Sequence, residues 1–214
     1  MIGRSRTLLA GLVTGAVIAA FVVLAPGSAS GDVGLDDPPP QSFDPAPDRD
    51  GDPAARRPVE ALLDRLSEAS DEAEARQLER MIVYNWRQSG SPTVDLLLSR
   101  AAEAIEDDEF GTAIAFLDTI VELAPELPEG WNMRATVYFR IDEYQRAIND
   151  IGRTLSLQPR HFGALSGLGM IFHRLDEKER ALSALRQALE VHPYLPNIEP
   201  LVERLRIEVE GREI

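Results

Sequence analysis

A proline that recurs at a fixed interval is the feature of this sequence that most restricts its fold. Pro125, Pro159 and Pro193 are each 34 residues from the next. The residue before a proline avoids the helical region, so each of these prolines predicts the end of a helix. An interval of this length is filled by two helices of about fourteen residues and two short turns. The spacing therefore predicts three consecutive helical hairpins that stack on one another.

Further positions recur with the same period, and they indicate how the hairpins pack. At two aligned positions all three residues are small, which lets paired backbones approach each other closely. At others, large apolar or aromatic residues fill the space between hairpins. The aligned positions are Leu97, Trp131 and Leu165; Ala101, Ala135 and Gly169; Ala104, Tyr138 and Phe172; Ala113, Ala147 and Ala181; and Leu117, Ile151 and Leu185.

The order of these residue types within one unit resembles the tetratricopeptide repeat. The middle unit matches the family pattern best, through Trp131, Ala135, Tyr138, Ala147, Ile151 and Pro159. The resemblance covers residues 94–195 and implies an all-α fold, a right-handed α-solenoid of helix-turn-helix hairpins. The sequence departs from the family at Arg100 and Arg134, where leucine is usual, and at Ala104, where an aromatic residue is usual.

The sequence on either side of the repeats predicts additional helices. Within residues 91–195 we place three units at about 94–127, 128–161 and 162–195. Residues 58–90 contain two runs of apolar residues at helical spacing, and we expect a degenerate hairpin that covers the exposed end of the stack. Residues 196–214 contain one apolar stripe flanked by acidic residues, which is typical of a C-terminal capping helix that keeps a solenoid soluble.

An Asp-Glu pair recurs in the turn inside each hairpin. In the second unit Asp142 is followed three residues later by Gln145, and in the third unit Asp176 is followed by Glu179. This spacing has the outline of a capping box, in which side chains satisfy backbone donors at the start of a helix. We therefore expect both aspartates to cap the second helix of their hairpin.

The N-terminal segment has the composition of an export signal. Arg4 and Arg6 precede an uncharged, mostly apolar stretch from Thr7 to Ala25. The length of this stretch favours an uncleaved membrane anchor, whereas the small residues at 27–30 favour cleavage of a signal peptide, so both interpretations of residues 1–30 stay open. In either case the positive end stays in the cytoplasm. We expect the folded domain outside the cytoplasm, either periplasmic or anchored to the inner membrane and facing the periplasm.

A linker follows this segment at residues 31–57. Residues 31–53 contain seven aspartates and one arginine, interleaved with prolines and glycines. Like charges repel and proline removes backbone donors, so this stretch has no means of forming a core. We predict a disordered, acidic, proline-rich tether.

Composition and motif spacing argue against several classes of function. The chain has a net charge of −14 and no cluster of lysine and arginine, which is unfavourable for binding nucleic acid. It has no cysteine, and its three histidines do not have the spacing of a metal-ligand motif. No nucleophile lies beside a base in a recognisable motif. We predict a protein that is not an enzyme and has no catalytic residues, metal site or cofactor.

The resemblance implies a binding surface, because in this family the first helices of successive hairpins line a concave groove that holds a partner peptide or helix. Only Asn132 and two arginines match the family version that grips a C-terminal carboxylate. The groove residues implied by the resemblance are Leu98, Ala102, Ile105, Asn132, Thr136, Phe139, Arg140, Gly163, Ser166, Gly167, Met170, His173 and Arg174.

The third hairpin carries an unusual number of glycines within one helix. Glycine there is unfavourable for helix stability, but it lets another backbone approach closely. We predict a shallow apolar platform at Gly163–Met170, bordered by Arg140, His173 and Arg174, that receives a partner segment. The alternative is that the C-terminal helix or a neighbouring helix of the chain itself occupies this region.

These features predict a protein–protein interaction scaffold or adaptor of the bacterial cell envelope. The alternative is a structural or assembly role in which self-association into a homo-oligomer is the main contact. A more distant alternative is a regulatory subunit or an envelope enzyme. The sequence names neither the partner protein nor the pathway, because one fold supports many functions.

Overall fold

The computed structural model describes residues 53–211, with side chains from Val59 onward. The predicted signal or anchor segment and most of the acidic linker lie outside the described residues, as do the last three residues. Within this range the chain is all-helical and contains no strand. None of the described helices has the length and continuous apolar character that crossing a bilayer requires. In chain order they are α1 Pro53–Ser67, α2 Glu72–Trp86, α3 Pro92–Glu106, α4 Phe110–Leu123, α5 Pro128–Arg140, α6 Tyr144–Leu157, α7 Phe162–Arg174, α8 Lys178–Val191 and α9 Ile198–Glu210.

The predicted helix breaks are present at all three periodic prolines. Helices α4, α6 and α8 each end two residues before the proline. The residue between, at 124, 158 and 192, has left the helical region, with φ of −136°, −139° and −136°. The all-α solenoid of stacked hairpins predicted from the period is therefore confirmed.

The turn inside each hairpin differs from the predicted capping box. Asp108, Asp142 and Asp176 adopt left-handed backbone conformations with φ of 58°, 61° and 59°. In the second unit the following amide, of Glu143, donates to the carbonyl oxygen of Tyr138 at 2.8 Å. This is the bonding pattern of a Schellman motif, in which the left-handed residue terminates the preceding helix. The capping prediction was wrong because these aspartates end the first helix, and no side-chain cap is present on α6 or α8.

The interior of the stack follows the predicted alternation of small and large residues. Gly169 lies so close to Leu185 that a Cβ atom there would be 2.5 Å from the Leu185 side chain. Ala135, Ala147 and Ala181 are buried, as are the aligned rings of Tyr138 and Phe172. Trp131 differs, because it is only partly buried and its Nε1 donates to the Pro125 carbonyl oxygen at 2.9 Å. It closes the junction between units at the surface instead of filling the space between them.

One face of α3 explains why no hairpin stacks on the first unit. In α7 the residues that face the preceding hairpin include Leu168 and Ile171, both buried in the apolar core. Their counterparts 68 residues earlier are Arg100 and Glu103, which are exposed and form an ion pair at 2.8 Å. A polar face gains nothing from burial. The first unit therefore forms its own polar end of the stack.

The N-terminal hairpin α1–α2 consequently packs elsewhere, and the prediction that it covers the exposed end of the stack was wrong. Its apolar residues Leu63, Ile82 and Trp86 form one buried cluster with Phe162 of α7 and Val191 of α8. The hairpin thus lies against the third unit, far along the chain. An amphipathic hairpin must cover its apolar side, and the polar face of α3 offers no suitable surface.

Candidate partner-binding surface

The predicted groove residues of the first two units lie on α3 and α5, which are neighbours in the stack. Leu98, Ile105 and Asn132 are buried. Ala102, Thr136 and Phe139 are partly buried and Arg140 is exposed, so these four residues form the accessible part of the surface on the two helices.

The third unit is different, because every residue of α7 from Phe162 to Phe172 is buried. Gly163, Ser166, Gly167 and Met170 therefore do not form an open platform in this structure. Helix α7 packs against α5, α6 and α8. The Ser166 hydroxyl is used within the helix, since it donates to the Gly163 carbonyl oxygen at 3.0 Å. This arrangement agrees with the alternative that the chain's own helices occupy the region.

A buried polar network connects the N-terminal hairpin to the second and third units. The Trp86 ring stacks on the His161 ring with centroids 4.0 Å apart and planes 15° apart. His161 caps α7, because its Nδ1 accepts from the Ala164 amide at 3.1 Å. Its Nε2 faces the Glu129 carboxylate at 3.3 Å. With Nδ1 acting as acceptor, a proton on Nε2 is placed to donate to Glu129.

Glu129 is the centre of this network. Its carboxylate accepts a hydrogen bond from Asn132 at 3.2 Å and another from Arg87, the residue that follows α2, at 3.4 Å. Burial raises the pKa of Glu129, but the hydrogen bond and charge of His161, followed by those of Arg87, outweigh burial, and the pKa is lowered from its ordinary value. Asn132, which the resemblance placed on the groove, is used internally and does not face an open groove.

Further polar contacts fix the hairpin at the loops before and after the third unit. Arg160 donates to Asp64 at 2.6 Å, and the Tyr194 hydroxyl donates to the Ser70 carbonyl oxygen at 3.0 Å. His192 is buried with its Nε2 3.6 Å from a Glu79 carboxylate oxygen. Sequence reasoning missed this interface. The sequence did contain one signal for it. Arg100 and Glu103 make one face of α3 polar, and a polar face is unsuitable for packing an apolar hairpin.

The accessible part of the concave surface continues beyond α5 at the C-terminal end of α7. His173 is partly buried and Arg174 is exposed. Helix α9 contributes Arg204, which sequence reasoning did not include in the groove. Burial lowers the pKa of His173, and the positive charge of Arg204 lowers it further. The Nδ1 atom of His173 is buried and has no hydrogen-bond partner within residues 53–211.

The side chains of the described region do not assemble a metal-ligand cluster of three or more histidine, aspartate or glutamate residues. The accessible surface consists of partly buried apolar groups, arginines and one histidine. Such a surface is suited to binding a peptide segment through apolar contact and charge-assisted hydrogen bonds.

Comparison with known proteins identifies the repeat directly. A tetratricopeptide repeat family profile matches residues 163–194. A TPR repeat-containing protein of Rhizobium etli is 36% identical over 120 residues, which cover 56% of this chain and 59% of the relative. The chain thus spans about three-fifths of the length of that relative.

Solved structures show the same fold. The Arabidopsis OM64 TPR domain superposes with a TM-score of 0.52 at 17% identity, covering 55% of this chain and 97% of that one. The first TPR of Spaghetti (RPAP3), bound to the HSP90 peptide SRMEEVD, has a TM-score of 0.52 at 19% identity and covers 55% and 93%. The MamA protein has a TM-score of 0.51 at 18% identity and covers 74% and 84%. One unit of this chain therefore matches the tetratricopeptide repeat in sequence, and the helical stack has the fold of tetratricopeptide repeat domains.

Proposed function

We propose that this protein is a non-enzymatic scaffold of the bacterial cell envelope that binds a segment of a partner protein on its concave surface. Tetratricopeptide repeats generally mediate protein–protein interaction, and the RPAP3 domain of similar fold is described as bound to a peptide. The partner surface comprises the open residues of α3 and α5 together with the C-terminal end of α7 and Arg204 in the middle of α9.

The observation that carries this proposal is the mixed character of the accessible concave residues. Phe139 is partly buried with its ring 5.9 Å from the Tyr144 ring, so it already rests on a rigid support. Covering such a side chain with a partner removes apolar area from water, which is favourable by about 25 cal/mol per Å². Arg174 at the border supplies charged donors that orient a bound segment, whereas Arg140 is paired with Asp108.

Site-specific photo-crosslinking tests the surface. A photoreactive phenylalanine analogue replaces Phe139 in the full-length chain, and the matched control carries it at Leu123, which is 59% exposed on α4. We expect a crosslinked partner protein from position 139 and none from position 123. Equal crosslinking from both positions, or crosslinking from 123 alone, would contradict binding on the concave surface.

The proposed location rests on the N-terminal sequence, in which Arg4 and Arg6 precede an uncharged apolar stretch. Alkaline phosphatase fused after the last residue reports location, because that enzyme is active only when exported. We expect an active fusion, and substitution of the apolar stretch by a charged one is expected to abolish activity. An inactive but stable fusion of the natural sequence would contradict a role outside the cytoplasm.

A further inference from the structure

Most arginines of the described region already have a partner within the protein. Eleven of the fifteen arginines between residues 59 and 211 form an ion pair or stack on an aromatic ring. The four without an ion pair or ring contact among the described residues are Arg65, Arg80, Arg174 and Arg204.

Two of these four arginines lie together on the concave surface. Arg174 ends α7 and Arg204 is on α9, and both are exposed. Arg204 is one helical turn before Glu208 on α9, and Glu208 pairs with Lys178 at the start of α8, so Arg204 lies near the turn that follows Arg174. The charges of both arginines also act on His173. Two acids also act on His173, namely Glu208 and Asp176, and both pair with Lys178, at 3.2 and 3.5 Å.

A comparison of aligned positions explains why Arg174 forms no ion pair among the described residues. In the second unit Arg140 pairs with Asp108 and also lies 4.8 Å from the centroid of the Phe110 ring. The aligned residues one period later are Arg174, Asp142 and Tyr144.

The hydroxyl of Tyr144 makes the difference between the two units. It donates to the Asp142 carboxylate at 2.6 Å, whereas the aligned Phe110 has no hydroxyl. Burial, followed by the hydrogen bond to Asp142, raises the pKa of Tyr144 to about 12, so the hydroxyl keeps its proton. The Tyr144 hydroxyl thus takes one acceptor site of the carboxylate that would match Arg174.

We propose that Arg174, Arg204 and His173 form a binding site for aspartate or glutamate side chains of a partner protein's acidic segment. The proposal rests on the proposed function and specifies its partner chemistry. A guanidinium group binds a carboxylate through two parallel hydrogen bonds, and such charge-assisted bonds are stronger than neutral ones. The neighbouring Phe139 offers apolar contact between the acidic residues of the segment.

Fluorescence anisotropy with the purified full-length chain tests this site. The probe is a labelled peptide of alternating aspartate and leucine with an amidated C-terminus, so that only side-chain carboxylates are read. Its neutral counterpart has asparagine in place of aspartate. We expect tighter binding of the acidic peptide and a decline in that binding as salt is raised.

Two double variants with the same change in net charge provide the comparison. Arg174→Gln with Arg204→Gln is expected to weaken binding of the acidic peptide about tenfold, the effect of losing charge-assisted hydrogen bonds. Arg65→Gln with Arg80→Gln removes the other two unmatched arginines, on the N-terminal hairpin, and is expected to change it less than about twofold. Equal losses in both double variants would overturn the site, because they would indicate non-specific attraction.

A third variant tests the explanation itself. Tyr144→Phe releases the Asp142 carboxylate, which can then pair with Arg174 as Asp108 pairs with Arg140. We expect weaker binding of the acidic peptide by Tyr144→Phe, and no decrease would contradict the argument. Thermal unfolding of each variant establishes that the fold is kept.

Two further outcomes are informative. Equal affinity for the acidic and the neutral peptide would overturn the carboxylate preference while leaving the proposed groove in place.

Replacing the aspartates of residues 31–52 by asparagine tests whether the chain's own acidic segment fills the site. A several-fold gain in peptide affinity in that variant would overturn binding of a partner and assign the site to the chain itself, whereas unchanged affinity would support the proposal.

Discussion

The contact between consecutive repeats and the contact between the N-terminal hairpin and the third unit bury apolar side chains in different ways. Between repeats, the buried residues recur with the period of the sequence, as with Ala135 and Gly169. Under the hairpin, the buried residues occur once and are accompanied by polar groups. Trp86 Nε1 and His192 Nε2 are buried there without a hydrogen-bond partner in the described structure.

This difference has an energetic consequence. A buried donor without a partner costs about 1–3 kcal/mol, and a buried ion pair contributes little net stability. The repeats carry less of this cost, because their interior is mostly apolar and includes one buried atom without a partner, His173 Nδ1, among the described residues. We therefore expect the hairpin to separate from the solenoid before the repeats separate from one another.

The largest expected effect comes from disrupting the interior of a repeat unit. Leu185 is fully buried and touches Gly169, so Leu185→Ala leaves a cavity in the third unit. We expect a loss of about 2–5 kcal/mol in the free energy of unfolding. Urea denaturation followed by circular dichroism measures it. A loss below about 1 kcal/mol would show that the repeat interior relaxes around the cavity.

A smaller and more local effect is expected at the hairpin. Trp86→Ala removes the stacking on His161, but it also removes a buried donor without a partner, so we expect a net loss of about 2 kcal/mol. Hydrogen exchange should show faster exchange of α1 and α2 amides while α4–α6 keep their protection. Equal acceleration throughout would mean that the hairpin and the repeats unfold as one unit.

The polar network under the hairpin predicts a dependence on pH. The pKa of Glu129 is lowered from 4.5, so its carboxylate stabilises the fold above that pH and the contribution is lost as pH falls through the lowered value. We expect Glu129→Gln to reduce stability by about 1–2 kcal/mol at neutral pH. The difference from the natural protein should shrink in acid well below pH 4.5. Denaturant titrations at the two pH values measure it, and a difference that grows in acid would contradict this sign.

The smallest effect is expected on the polar face of α3. Leu96 is 59% exposed, so Leu96→Ser should change the free energy of unfolding by no more than about 0.5 kcal/mol. The aligned residue in the third unit is Ala164, which is fully buried. Ala164→Leu, which introduces the residue of the first unit, should cost about 1–3 kcal/mol by overpacking. If Leu96→Ser were the more damaging of the two, something would have to cover α3 in solution.

The sequence was sufficient for the stack and insufficient for its turns. Proline and small residues restrict the backbone wherever they occur, so their period could be converted directly into helix ends and close packing. Asp142 illustrates the limit, because aspartate favours both a helix N-cap and the left-handed conformation that ends a helix. The residue type alone does not choose between these two roles.

The candidate site was predicted only in part for a related reason. Phe139 and Arg174 lie on the accessible surface as the resemblance implied, whereas Asn132 and Ser166 are buried. The resemblance indicates which side of a helix faces the groove. It does not indicate which other parts of the chain cover that side. Arg204 was missed because it belongs to a helix that the sequence assigned only a capping role.

The sequence by itself determined that the chain forms helical hairpins stacked at an interval of 34 residues, because period and helix breaks are local properties of the residues. Only the tertiary structure decided where the N-terminal hairpin lies, which groove residues stay accessible and which arginines lack an acid. Those outcomes depend on distances between residues far apart in the chain, such as Trp86 and His161 or Lys178 and Glu208. The position of the hairpin depends on which apolar surface is available to cover it, and the pairing of each arginine depends on which acid lies nearby. The pattern of residues along the sequence shows neither of these.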